Sequence, residues 1–106
     1  MTPEKKSRPL DVKLEIKNAK DWKKSGNITV KVRGMFRNNG WKVKDHSSKI
    51  KGEVLDVTIN AEHSGGLAAM VLKPFEITEE VQVEKQKDHL KIRVIIDGDE
   101  CATHNL

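Results

Sequence analysis

The chain is predicted to be all-β, one domain of seven short antiparallel strands arranged as a sandwich or barrel, and three observations predict it. Apolar residues recur with a period of two in several separate segments, as they do on a strand with one buried face. Val and Ile make up most of the Leu, Ile, Val and Phe residues, and their branched Cβ suits a pleated surface better than a helix. Turn signals such as Asn39-Gly40 and Gly65-Gly66 break the chain at short intervals, and no run of ten residues keeps a helical period.

The elements follow in order. Residues 1–9 are polar, carry Pro3 and Pro9, and read as a flexible arm. Leu10, Val12, Leu14 and Ile16 alternate with Asp11, Lys13, Glu15 and Lys17 as the first strand, and Ile28, Val30 and Val32 alternate with Thr29, Lys31 and Arg33 as the second. Trp41 and Val43 open a third, and Leu55, Val57, Ile59 and Ala61 form a fourth that stops at "HSGG". The apolar stretch after it halts before Pro74, which cannot donate to a central ladder, and reads as a short buried or edge strand. Val81 and Val83 suggest a sixth strand, and Leu90, Ile92, Val94 and Ile96 a seventh. The folded domain then spans residues 10–97, with "GDECATHNL", 98–106, left as a polar tail.

Composition narrows the function classes. A chain of 106 residues is long enough to hide roughly 65% of its unfolded surface, which allows one modest core. No stretch approaches the roughly 20 apolar residues of a membrane span, and "MTPEKKSRPL" has no apolar signal segment, so a soluble chain without an export signal is expected, cytoplasmic by default or a mature exported domain. The single Cys101 forbids an internal disulfide. The formal charge of +4 conceals an asymmetry: residues 1–51 hold 15 Lys/Arg against 5 Asp/Glu, and residues 52–106 hold 5 against 11. Strands from the two halves that pair in one sheet would neutralise each other across the ladder.

The order of features, with Trp41 leading the third strand and a Gly-Gly turn followed by an apolar stretch and "LKPFE", resembles a small prokaryotic immunoglobulin-like or fibronectin type III-like β-sandwich. The resemblance implies a seven-stranded antiparallel immunoglobulin-like sandwich; the fold by itself supplies no function, and the chain is expected to act as a non-catalytic interaction or structural module with another protein as partner. The chain departs from the antibody pattern, since it has no cysteine pair and no Tyr for a tyrosine corner.

Candidate chemistry is sparse. Asn39-Gly40 suits a two-residue type I′ hairpin, which would set Phe36 opposite Val43 and align Lys31, Arg33, Arg37, Lys42 and Lys44 on one outward basic face. An arch between two sheets would instead separate those cations and bury Trp41. Such a face is the basis for an alternative reading as an anion- or nucleic-acid-binding domain, with Trp22 in "KDWKKSG" as the one candidate for an exposed stacking ring. His46, His63, His89, His104 and Cys101 show no metal-ligand spacing beyond Cys101 and His104, half of a structural zinc set, and "DGDE" lacks the rest of a calcium loop. No metal or cofactor is expected. Ser47, Ser48 and Ser64 lie in no nucleophile motif and no phosphate-cradling glycine loop is present, so the chain is not expected to be an enzyme.

Overall fold

A computed structural model describes residues 7–17, 22–65, 71–83 and 89–106. The described chain is all-β and forms two sheets. Its strands are β1 (Leu10–Ile16), β2 (Asn27–Phe36), β3 (Trp41–Lys51), β4 (Val54–His63), β5 (Lys73–Gln82), β6 (Lys91–Ile96) and β7 (Asp99–Asn105), with one helical turn, α1 (Trp22–Ser25), before β2. One sheet has the order β1-β2-β5 and the other β3-β4-β6-β7. Alternation dictates what lies between them: Ile28, Val30, Val32 and Phe36 of β2 face Leu55, Val57 and Ile59 of β4 and Ile92, Val94 and Ile96 of β6, all buried in one core. Trp22, Trp41, Phe75, Ile77, Val83 and Leu90 complete it.

The expectation of a purely antiparallel fold is corrected, because β4 and β6 pair in parallel. A parallel pair needs a crossover connection, and here the chain supplies it by passing through β5 in the opposite sheet before returning. The expected division near Pro74 also shifts. Residues 66–70 lie outside the described residues, Val71 and Leu72 are exposed, and β5 begins at Lys73 and runs through Pro74 to Gln82, so the separate strand expected around Val81 is its end. Proline is tolerated because β5 is an edge strand. Val83 donates its N–H to the Gly26 carbonyl (2.6 Å), and Pro74, nine residues back and of opposite parity, turns its nitrogen to the open edge.

Two turns exchange roles. Neither Asn39 nor Gly40 has positive φ, and β2 and β3 lie in different sheets, so the link is an arch and not a type I′ hairpin. The Asn38 Oδ1 accepts the Gly40 N–H (2.9 Å), and the Gly40 carbonyl accepts the Ser64 N–H (2.9 Å), which fixes the corner under Trp41. The type I′ signature appears instead at Asp97-Gly98, with φ of 52° and 87°, joining β6 to β7. The segment expected as a tail therefore holds an edge strand.

Phe75 stacks on Phe36 with ring centroids 4.6 Å apart, and its ring occupies the space a side chain at Gly34 would take. A Cβ on residue 34 would lie 2.7 Å from two ring carbons. Gly34→Ala is expected to overpack this layer and lower stability by about 1–3 kcal/mol, read as a lower urea midpoint at unchanged m-value.

Candidate functional site

The cations that a hairpin would have aligned on one face are distributed over three surroundings. Lys31 and Arg33 lie on the outer face of the β1-β2-β5 sheet, where both reach Glu76 of β5 (3.2 and 3.1 Å) and Arg33 also approaches Glu15 of β1 (3.8 Å). Lys42 belongs to the other sheet and pairs with Glu62 (3.2 Å), while Lys44 falls at the β-bulge between Val43 and Asp45. Arg37, in the arch, donates its Nε–H to the Arg8 carbonyl (2.8 Å). The arch separates these side chains, and cross-strand glutamates engage three of them.

Trp22, the one candidate for an exposed ring, is 3% exposed and belongs to the core. The turn α1 places it there, with its carbonyl accepting the Gly26 N–H (2.9 Å). All four aromatic side chains, Trp22, Phe36, Trp41 and Phe75, are buried. The indole of Trp41 meets His63 edge to face, at 5.1 Å. Among the described residues no three His, Cys, Asp or Glu side chains gather to hold a metal ion. Burial pushes the Cys101 thiol up, with Asp99 and Asp97 adding to the rise against a backbone hydrogen bond from Ile96, so the neutral thiol is favoured over the nucleophilic thiolate.

What the fold does assemble is a set of four strand edges that differ in how they are protected. β1 follows Pro9 and bulges between Leu10 and Lys13, with Asp11 at φ 52°. β5 carries Pro74 and turns Glu79 inward, where its Oε2 meets the Nδ1 of His46 on β3 (2.6 Å). β3 carries Lys42, Lys44, Lys49 and Lys51 as well as that inward His46. Proline, bulges, lysines and inward polar groups all discourage the docking of another strand. β7 has a bulge at Cys101, but its sequence, "DECATHN", contains no Lys, Arg or Pro.

Beside β7, across the open side between the two sheets, the inner row of β1 (Val12, Leu14 and Ile16) is only half-buried. Ala102 and Leu106 are half-buried on the other wall. The Leu106 N–H donates to the Leu90 carbonyl (2.9 Å), so by alternation Ala102 and His104 bond to β6, whereas Thr103 and Asn105 turn their N–H groups outward.

Asp97 holds this end of the molecule together. Its Oδ2 accepts the Ser7 N–H (2.9 Å) and the Ser7 hydroxyl (2.6 Å), and its Oδ1 accepts the Ala61 N–H (2.9 Å). Ser7 is 2% exposed, so the last residues of the expected arm are built into the fold. On the far face, Asp56 of β4 and Arg93 of β6 form a two-pronged ion pair (2.7 and 3.0 Å), made possible by the parallel register that sets them side by side.

No family model, curated protein or solved structure matches the chain.

Two predictions follow from these carboxylates. Asp97→Asn keeps a residue tolerant of positive φ but replaces one acceptor oxygen with an NH₂ facing N–H donors; stability should fall by about 1–3 kcal/mol in urea unfolding. Hydrogen bonding to Arg93 holds the Asp56 carboxyl below its ordinary value. Its stabilisation is therefore full above the unfolded carboxyl's pKa and lost as pH falls through the folded one. The difference in urea midpoint between wild type and Asp56→Asn should accordingly narrow on titration from pH about 7 to about 3, and a constant difference would contradict the pairing.

Proposed function

We propose that the domain is a non-catalytic, immunoglobulin-like interaction module that binds an extended segment of a protein partner along β7. The observation that carries this reading is the contrast among edges: β7 alone of the four edge strands lacks Lys, Arg and Pro in the described chain, and it borders a half-buried apolar row on β1. A partner strand added there would gain main-chain hydrogen bonds from Thr103 and Asn105, and its inward side chains would cover Val12, Leu14 and Ile16. Hydrophobic cover and backbone pairing would thus act at one place.

The immunoglobulin-like assignment is supported by seven strands in two sheets and by the grouping of the first, second and fifth strands. One feature departs from it: β4 lies between β3 and β6, whereas the third and sixth strands are neighbours in the constant-type arrangement. The separation of Lys31, Arg33 and Arg37 from Lys42 and Lys44 removes the geometric support for an anion site at those residues.

The test compares two edge-blocking variants. Thr103→Pro removes an N–H that points away from β6, so the native ladder survives while strand addition is blocked; Ser48→Pro does the same on the open edge of β3, where Gly52-Glu53 closes a two-residue hairpin and sets the same alternation. A partner retained by wild type and by Ser48→Pro, and lost with Thr103→Pro, is the expected outcome. Retention by Thr103→Pro would refute the β7 site.

A further inference from the structure

Strand register gathers a second set of cations that lie far apart in sequence. Lys49 of β3 pairs with Asp56 of β4, which pairs with Arg93 of β6; in the next row Lys51 pairs with Val54, which pairs with Lys91. The neighbouring residues Ile50, Leu55 and Ile92 point into the core, so these two rows lie on the outer face of the four-stranded sheet. Lys49, Lys51 and Lys91 are exposed, and among the described residues no carboxylate stands within ion-pair distance of their ammonium groups. Asp56 is committed to Arg93, Glu53 lies in the turn beside them, and Glu100 of β7 is near enough to act on Arg93.

Strand geometry sets the spacing. Lys49 and Lys51, two residues apart on one strand, stand about 7 Å apart, and Lys91, two strands across from Lys51, about 10 Å away. Three like charges at such distances repel one another, and a ligand carrying regularly spaced anions would relieve that repulsion. We infer that this end of the β3-β4-β6 face binds the phosphate backbone of nucleic acid, with Lys49, Lys51 and Lys91 as the contacts and Arg93 held flat beside them by Asp56. With all four aromatic rings buried, the face offers no platform for stacked bases, so recognition is of the backbone and independent of sequence. The inference stands apart from the β7 reading, since it uses another surface and a different force.

Fluorescence anisotropy with a labelled mixed-sequence DNA duplex tests it on the full chain. Three neutralised phosphates give a slope of log K against log salt near −2.7, or about 40-fold weaker binding at 200 than at 50 mM NaCl. The triple variant K49Q/K51Q/K91Q should abolish that binding, and K13Q/K42Q/K44Q, which removes the same charge elsewhere, should retain most of it. Absence of binding at 50 mM NaCl would overturn the inference, as would equal loss in the two triple variants, which would assign the effect to net charge. Binding to heparin without binding to the duplex would overturn the choice of nucleic acid.

Discussion

The fold depends on one constraint: the inner rows of β2 on one sheet and of β4 and β6 on the other must meet as continuous apolar surfaces. Ile28, Val30, Val32, Leu55, Val57, Ile59, Ile92 and Val94 have essentially no exposure, and each lies two residues from the next on its strand. Burial of each such side chain contributes about 1.5–3 kcal/mol, far more than a surface ion pair. A slip of one residue in any of these strands would turn a whole row to water. The polar features described above are therefore consequences of that register. Glu76 reaches Lys31 and Arg33, and Asp56 reaches Arg93, because burial has already fixed which residues face outward.

The core was readable in the sequence because a strand with one buried face leaves a local trace, alternation. β1, β2, β4 and β6 all show it; the apolar rows of β2, β4 and β6 line the core, while Val12, Leu14 and Ile16 of β1 are half-buried against it and Leu10, beyond the bulge, sits opposite Met35. What has no local trace is which strand lies beside which. Asn39-Gly40 is a strong hairpin pair, yet the inner faces of β2 and β3 belong to different layers, and tertiary packing overrides the turn's own preference. The other strong pair, Asp97-Gly98, does close a hairpin. It is less conspicuous because β7 is polar and its bulge at Cys101 breaks the alternation. In β3 the bulge at Lys44 reverses parity in mid-strand, so the inward row passes from Trp41 and Val43 to His46, Ser48 and Ile50.

The charged surface was the least legible part for the same reason. Counting along the chain singles out residues 31–44, where lysines and arginines are dense, but density along a strand is not density in space. The pairing that joins residues 49 and 51 to residues 91 and 93 spans some forty positions and runs through a parallel contact that local pattern does not announce. Trp22 is a similar case. Three lysines surround it in sequence, and a single helical turn is enough to place its ring in the core while Lys24 stays outside.

The parallel union of β4 and β6 also shapes how the chain can reach its native state. β3 and β4 can close as a hairpin through Gly52-Glu53, and β6 and β7 through Asp97-Gly98, each with little loss of loop entropy. Joining the two hairpins requires the chain between them to cross to the other layer, where β5 pairs along the whole length of β2. Folding is thus governed by contacts distant in sequence, a topology associated with times of milliseconds to seconds. Until β6 arrives, β4 presents an uncovered edge beside a bare apolar row, and that interval is when a newly made chain is most open to pairing with another copy of itself.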